Sequence, residues 1–168
     1  HRVTFLWRFH KAHHADTEID VSTALRFHPG ELLLSSLAKA TWVVIWGPST
    51  IAWFLFEVLV SWFAQAHHAN WDLPDRLERV VRRVWVTPRF HAIHHLVDRR
   101  FGDANFSTLL SIWDPCFGTE AAALSRAQVK DLDLGLPEAR EHTASFKRWL
   151  IEPISRQNLG LSQQRQAD

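Results

Sequence analysis

The chain has 168 residues, enough for one compact domain with a sizeable core but too few for two comfortable ones. Its formal charge of +1 gives no reason to expect nucleic-acid binding, and the single cysteine, Cys116, cannot form an intramolecular disulfide. The absence of methionine indicates a fragment or a processed piece, truncated at its N-terminus. The unusual features of the composition are eleven histidines and nine tryptophans.

The N-terminal segment predicts a helix or helical turn that carries a histidine triplet. Residues 1–14 mix aromatic and basic side chains and end in His10-Lys11-Ala12-His13-His14. A polar connection follows over residues 16–22. Pro29-Gly30 then opens a new helix, with Glu31 near its positive N-terminal end.

The next stretch, residues 32–66, predicts a helical hairpin in a membrane. It contains only two charged residues, Lys39 and Glu57, and Gly47-Pro48 divides it into limbs of 15 and 18 residues. These limbs would be about 22 and 27 Å long as helices, and a bilayer crossing needs about 20 residues. A tilted or re-entrant hairpin therefore fits better than two full spans. The alternative is a buried helical hairpin in a soluble protein.

The charges on either side of the hairpin predict its orientation. A hairpin that enters and leaves on one side puts both of its flanks on that side, and basic flanks mark the cytoplasmic face. We therefore expect an integral membrane protein whose cap lies in the cytosol. The basic residues are Arg2, Arg8, Lys11 and Arg26 before the hairpin and Arg76, Arg79, Arg82, Arg83 and Arg89 after it.

After the hairpin, the sequence predicts two further helices and a C-terminal extension. Asp75 can cap a basic helix over residues 76–85, and Thr87-Pro88 begins the helix that carries a second triplet, His91-Ala92-Ile93-His94-His95. We expect a main domain over residues 1–120 and a cytosolic or interfacial extension over 121–168. Within the extension, residues 145–154 have the pattern of an amphipathic helix.

The two histidine triplets predict a metal site. Each places histidines at i, i+3 and i+4, positions that share one helix face, so that the imidazoles can converge on a point. Neutral imidazole is the commonest protein ligand of metals. Since the triplets lie on either side of the hairpin, we interpret them as two halves of one polymetal site.

The number of candidate ligands favours two metal ions. Eight imidazoles exceed what one tetrahedral zinc uses, and the absence of cysteine from these clusters argues against zinc fingers and iron–sulfur centres. Iron accepts such a site, while geometry alone leaves zinc, manganese and copper open. The candidate ligands are His1, His10, His13, His14, His68, His91, His94 and His95, and the candidates for orienting them are His28, His67, Asn70 and Asp98.

Several motifs together resemble the fatty acid hydroxylase superfamily, also called the sterol desaturase family. They are LWRFHKAHH (6–14), TALRFHPGE (23–31), HAN (68–70), TPRFHAIHH (87–95) and the segment 105–119. The resemblance covers about residues 1–120 and is strongest to the bacterial branch. His1 matches the second histidine of the family's first motif, HRxxH, whose earlier histidine would precede the chain.

This resemblance implies an all-α integral membrane enzyme of the bacterial inner membrane, with a histidine-bound di-iron site on the cytoplasmic side. Such an enzyme uses O₂ and an external electron donor, cytochrome b5-like or a ferredoxin with its reductase, to hydroxylate or desaturate a fatty acyl or sterol-like lipid. Some members are found with zinc. The cut first motif implies incomplete metal binding and leaves open whether the truncated chain is itself active.

Two other classes of function also fit the sequence. One is a membrane protein that binds a transition metal without catalysis, and the other is a soluble helical protein with a structural zinc site. The first predicts tight metal binding without O₂ uptake. The second predicts that the chain partitions into buffer without detergent.

Overall fold

The computed structural model describes residues 1–136, 146–151 and 153. Within these residues the chain contains no strand, and two isolated β-bridges pair Trp85 with Leu110 and Leu96 with Leu134. The predicted all-helical class is confirmed. The elements are α1 (Thr4–His10), a 3₁₀ turn (Thr23–Leu25), α2 (Pro29–Trp46), α3 (Thr50–His68), α4 (Asp75–Val81), α5 (Pro88–His94), α6 (Arg99–Gly102), α7 (Trp113–Phe117), α8 (Arg126–Lys130) and α9 (Phe146–Ile151).

The two limbs of the apolar stretch form the two longest of these helices, and local chemistry sets their ends. At the start of α2 the His28 side chain accepts a hydrogen bond from the Gly30 N–H. The helix ends at Gly47, which adopts the left-handed conformation with φ 57°. The Ser49 hydroxyl then accepts from the Ala52 N–H and caps α3. The helices thus separate where the sequence predicts the break.

The hairpin formed by α2 and α3 carries its apolar side chains outward. None of the residues of α2 is buried, and on α3 only His67 and His68, in the last turn, are buried. Val44 is 84 % exposed and Ile51 is 72 % exposed. Among the described residues, no helix has both the length and the apolar character that a membrane crossing requires. The hairpin is therefore observed, while its insertion into a membrane stays a prediction.

The remaining described elements form a cap around the end of α3. Helix α3 packs against α5 and the 3₁₀ turn, and α5 packs in turn against α6 and α8. The fully buried apolar side chains of the cap include Phe90 and Ile93, both on α5. Much of the rest of its interior is histidine, so the centre of the cap is polar. This packing brings the last turn of α3 next to the second triplet.

One predicted cap is wrong. Helix α4 begins at Asp75 with Pro74 in the N-cap position, and no side chain caps it. The Asp75 carboxylate pairs instead with the buried guanidinium of Arg89. A charge-assisted contact to a buried cation is stronger than a hydrogen bond to an exposed N–H, which accounts for the difference.

The C-terminal extension is described only in part. Helix α9 lies within the amphipathic segment predicted over residues 145–154. Residues 137–145, 152 and 154–168 lie outside the described residues, so the second predicted domain is not tested as a unit.

Candidate metal centre

The structure gathers all eight predicted ligands at the base of the hairpin, in two groups of four. In each group, one nitrogen from every imidazole lies within 4.8 Å of the others, so each group could hold a metal ion. The first histidine group consists of His1, His10, His14 and His94. The second histidine group consists of His13, His68, His91 and His95.

Each triplet contributes to both groups, which differs from the expected convergence of a triplet on one point. His10 and His14 join the first group, whereas His13 between them joins the second. The second triplet divides the opposite way, with His94 alone in the first group. In both triplets the i and i+4 side chains belong to one group and the i+3 side chain belongs to the other. The two groups therefore interlock.

Within the groups, seven of the eight histidines approach one another through their Nε2 atoms. Two nitrogens bound to one ion, with metal–nitrogen bonds of about 2.1 Å at angles of 90–109°, are separated by about 3.0–3.4 Å. The observed Nε2–Nε2 distances, 2.9–3.2 Å, are close to this separation. The Nε2–Nε2 distances are His1–His14 3.0 Å, His10–His14 3.2 Å, His13–His68 3.1 Å, His68–His91 2.9 Å and His91–His95 3.1 Å.

Five of the eight imidazoles also have an acceptor at their other nitrogen, Nδ1. An Nδ1–H that donates to an oxygen fixes the tautomer and turns the Nε2 lone pair toward the interior of the group. The pairs are His1 with Asp103 Oδ1 (3.2 Å), His10 with Glu31 Oε1 (2.7 Å), His13 with the Thr23 carbonyl (3.0 Å), His68 with the Ala64 carbonyl (2.6 Å) and His94 with the Ala104 carbonyl (2.8 Å).

Because the protons are on Nδ1, the Nε2 atoms that face one another carry free lone pairs, and this arrangement fits a metal ion between them. Two Nε2 lone pairs about 3 Å apart, such as those of His13 and His68, repel each other because neither nitrogen carries a proton to share. A cation between them removes the repulsion. The outer acceptors on Nδ1 are the kind of partners that orient metal-bound histidines.

Burial keeps four of these imidazoles, those of His14, His91, His94 and His95, in the neutral form, which is the form that binds a metal. Burial is the main cause that lowers the pKa of His14, His91 and His95 well below 6.5, and the mutual repulsion of neighbouring imidazolium charges lowers it further. The pKa of His94 is lowered to about 3, again mainly by burial. A proton therefore competes poorly for these nitrogens.

The four residues predicted to orient the ligands lie in different surroundings. His67 is buried, and its ring centroid is 4.1 Å from that of His91. His28 caps α2, and its Nε2 is 3.1 Å from the Leu150 carbonyl oxygen. Asn70 is exposed. The Asp98 carbonyl accepts hydrogen bonds from the backbone N–H groups of Phe101 and Gly102 in the turn that follows it. Of the four, His67 is the one whose ring packs against a member of a group.

Sequence reasoning missed most of the observed outer partners. Glu31 was interpreted as a charge at a helix end, yet its carboxylate accepts from His10 across 21 residues of sequence. Three other partners are backbone carbonyls of Thr23, Ala64 and Ala104. Every residue has a backbone carbonyl, so the sequence does not indicate which ones accept from a histidine. The Asp103 carboxylate accepts from His1, and nothing in the sequence pairs these two residues.

A cavity of about 200 Å³ adjoins the second histidine group. Its walls combine apolar side chains with cationic ones from α5 and α8, and His67 and His68 form part of its floor. The other lining residues include Trp71, Arg89, Arg126 and Leu134. The second group is therefore next to a space that can admit a small molecule or part of a larger one.

The fold and the site together define an all-helical, histidine-rich protein with two adjoining groups suited to metal ions. The sequence matches the family model described as fatty acid hydroxylase over residues 1–119. The chain belongs to the fatty acid hydroxylase family, as its motifs predict.

Curated relatives agree with this membership. The chain is 31 % identical over 120 residues to alkylglycerol monooxygenase of Homo sapiens, and the matched region covers 71 % of the chain and 26 % of the relative. It is 30 % identical to the Danio rerio alkylglycerol monooxygenase, with 72 % and 26 % covered. It is 26 % identical to the ornithine lipid hydroxylase OlsE of Rhizobium tropici, with 71 % and 35 % covered. The chain thus spans between a quarter and about a third of these relatives. No solved structure matches it.

Proposed function

We propose that the protein is an O₂-dependent oxidoreductase that hydroxylates or desaturates a lipid at a pair of iron ions held by the two histidine groups. The observation that carries this proposal is the convergence of eight imidazoles, one nitrogen from each, with Nδ1 bonded outward in five of them. The names of the relatives, alkylglycerol monooxygenase and ornithine lipid hydroxylase, supply the class of reaction and of substrate.

The donor set is suited to iron. It consists of imidazole nitrogens without thiolate, and the one cysteine, Cys116, is exposed. Iron ions bound there with open coordination positions would supply O₂ activation for attack on an unactivated C–H bond. The chain's own residues hold eight nitrogens in place and surround them with the walls of the cap, and burial lowers the pKa of His14 and His95 and so keeps them unprotonated.

We also propose that the α2–α3 hairpin is embedded in a bilayer as a re-entrant element. Contiguous exposed apolar surface of this extent marks a surface that another phase or partner covers. The two charges of the hairpin neutralise each other, since Lys39 Nζ lies 2.7 Å from Glu57 Oε2. Helices of 18 and 19 residues are about 27 and 28 Å long, so the hairpin can enter deeply and turn back.

In this arrangement, the lipid reaches the metal centre along the hairpin. The last turn of α3 carries both His67 and His68, so the apolar surface of α3 leads directly to the second histidine group. An acyl or alkyl chain lying against α3 would therefore arrive with its C–H bonds near that group. The basic flanks support a cytoplasmic location of the cap. There an external donor, a cytochrome b5-like protein or a ferredoxin with its reductase, would supply electrons.

A structural role for zinc is the second candidate, because each group offers four imidazoles. Four protein ligands complete a tetrahedral structural zinc site and leave no open position. A protein of this kind binds two zinc ions tightly, is stabilised by them, and consumes no O₂. Without a bilayer-embedded hairpin it is soluble in buffer, and with one it is a non-catalytic membrane protein.

The deciding experiment loads the purified protein, in lipid nanodiscs, with ferrous iron. It then measures donor-dependent O₂ uptake and product formation on alkyl- and acyl-lipids. We expect two iron ions per chain and lipid-dependent O₂ uptake. Tight metal binding without any O₂ uptake would favour the structural or storage role instead.

A matched pair of histidine substitutions sharpens this test. His94→Ala removes one nitrogen from the first histidine group and is expected to abolish turnover. His28→Asn is the control, because asparagine is a good N-cap and His28 belongs to neither group. Undiminished turnover in His94→Ala, with the control also active, would refute the assignment.

A further inference from the structure

Residues 103–105, here called the strap, contact two members of the first histidine group in succession. The Asp103 carboxylate accepts from His1 Nδ1 at 3.2 Å. The carbonyl oxygen of the next residue, Ala104, accepts from His94 Nδ1 at 2.8 Å. Two neighbouring residues therefore orient two imidazoles of the same group, and both orientations depend on the path of the strap.

The third residue of the strap, Asn105, fixes that path. Its side chain is fully buried, and its backbone has φ 53°, the left-handed region that asparagine tolerates better than most residues. Its Nδ2 donates to the Phe90 carbonyl and its Oδ1 accepts from the Ala121 N–H, both at 2.8 Å. Its own N–H donates to the Thr119 carbonyl, also at 2.8 Å. Asn105 thus ties the strap to α5 and to the segment after α7.

A second buried side chain holds the residues that follow the strap. Asp114 accepts hydrogen bonds from the N–H groups of Phe106 and Ser107 and from the hydroxyl of Thr119. The chain is therefore fastened at Asn105 and at the two residues that follow it. A loop held in this way has little freedom to change the position of the Ala104 carbonyl.

The second histidine group takes its orientation from elsewhere. His13 Nδ1 is bonded to the Thr23 carbonyl in the 3₁₀ turn, and His68 Nδ1 is bonded to the Ala64 carbonyl in α3. Among the described residues, Nδ1 of His91 and of His95 has no hydrogen-bond partner. None of these interactions involves the strap, so the strap serves one group and not the other.

We propose that Asn105 is a positioning residue for the metal ion of the first histidine group. It does not ligate the ion. By locking the strap it keeps Asp103 and the Ala104 carbonyl on Nδ1 of His1 and His94, so that their Nε2 lone pairs face the ion. This inference rests on the proposed metal centre and adds that one of its two ions depends on Asn105.

The test is a titration of the purified protein with Co²⁺, followed by its visible absorption and by competition with a chelator. Asn105→Gly keeps the left-handed backbone accessible and removes only the side-chain bridges. We expect wild type to bind two ions and this variant to bind one with unchanged affinity and the other about 10- to 100-fold more weakly, the usual effect of losing an outer partner. Arg83→Ala, which alters an exposed side chain, is the control and is expected to bind both ions normally.

Two backgrounds identify the affected site. In His94→Ala, which has already lost the first group, Asn105→Gly is expected to change the remaining affinity little. In His95→Ala, which has lost the second group, it is expected to weaken the remaining site. Equal weakening of both sites, or two wild-type affinities in Asn105→Gly, would overturn the positioning role.

A separate variant keeps the inference testable if Asn105→Gly does not fold. Asp103→Ala removes the strap's carboxylate from His1 and leaves the bridges of Asn105 in place. It is expected to weaken only the first site, and normal binding of both ions by Asp103→Ala would then count against the strap. A wild-type protein that binds no Co²⁺ would be a different result, because it would remove the proposed metal centre itself.

Discussion

The ion pair between Lys39 and Glu57 reports directly on the surroundings of the hairpin. It joins the only two charged residues of the stretch 32–66, at 2.7 Å, with side chains that are 44 % and 35 % exposed in the isolated chain. That exposure faces water if the hairpin is soluble and lipid if it is embedded. Replacing Lys39 with leucine removes one charge and leaves the other without its partner.

The expected cost differs greatly between the two environments. In water, an exposed ion pair contributes about 0–1 kcal/mol, and the remaining Glu57 is hydrated without penalty. In lipid, breaking a desolvated pair costs about 3–5 kcal/mol, because the remaining charge is uncompensated. A difference of about 3 kcal/mol corresponds to roughly a 100-fold change in an equilibrium constant. Replacing both residues with leucine removes the unpaired charge and is expected to restore insertion.

The assay is the fraction of protein that resists alkaline extraction from liposomes. We expect Lys39→Leu and Glu57→Leu each to reduce that fraction and the double variant to recover it, whereas Arg76→Leu, at an exposed position on α4, is expected to behave like wild type. Four variants that all match wild type would refute the reasoning that the hairpin lies in lipid. A wild-type protein that is itself extracted would do the same.

Two further predictions concern the cap. Arg89 donates to both oxygens of Asp72 and to the Leu73 carbonyl, and its side chain is 3 % exposed. Arg89→Ala is therefore expected to lower the free energy of unfolding by about 3–5 kcal/mol in a denaturant titration. Full rescue of this stability by Arg89→Lys would contradict the bidentate geometry. Burial raises the pKa of Glu78 above 4.5, so the folded state binds this proton more tightly than the unfolded state does. The free energy of unfolding therefore falls as pH rises from about 4.5 through the raised pKa of Glu78. Glu78→Gln is therefore expected to gain stability relative to wild type between pH 4.5 and pH 8 in denaturant titrations, and a pH-independent difference would contradict the argument.

Much of the hairpin could be predicted because its signals are local. Gly47-Pro48 marks the break, and the apolar composition of the two limbs predicts two helices. Helix α2 begins at Pro29, as Pro29-Gly30 predicts, whereas α3 runs to His68, two residues beyond the predicted end of the second limb at Ala66. The last difference matters for the site, because the extra residues of α3 carry His68 to the second histidine group.

The proximity of the eight histidines was also predictable, but their division into two groups was not. Spacing at i, i+3 and i+4 indicates which side chains share a helix face, and the structure does bring all eight histidines together. Spacing does not reveal that His13 and His94 cross to the opposite group, because that depends on how two distant segments dock. Likewise, the pairing of Asp75 with Arg89 instead of with its own helix depends on a tertiary contact.

The two histidine groups are also electrostatically unequal, although each consists of four imidazoles. In the first group, carboxylates accept from His10 and His1 through Glu31 and Asp103. In the second group, the acceptors on Nδ1 are neutral carbonyls, as on His13 and His68. A carboxylate partner makes an imidazole a stronger electron donor than a carbonyl does and would add a negative charge near a bound ion. The first group therefore stabilises a cation more strongly than its histidines alone would, and this asymmetry originates in residues outside both triplets.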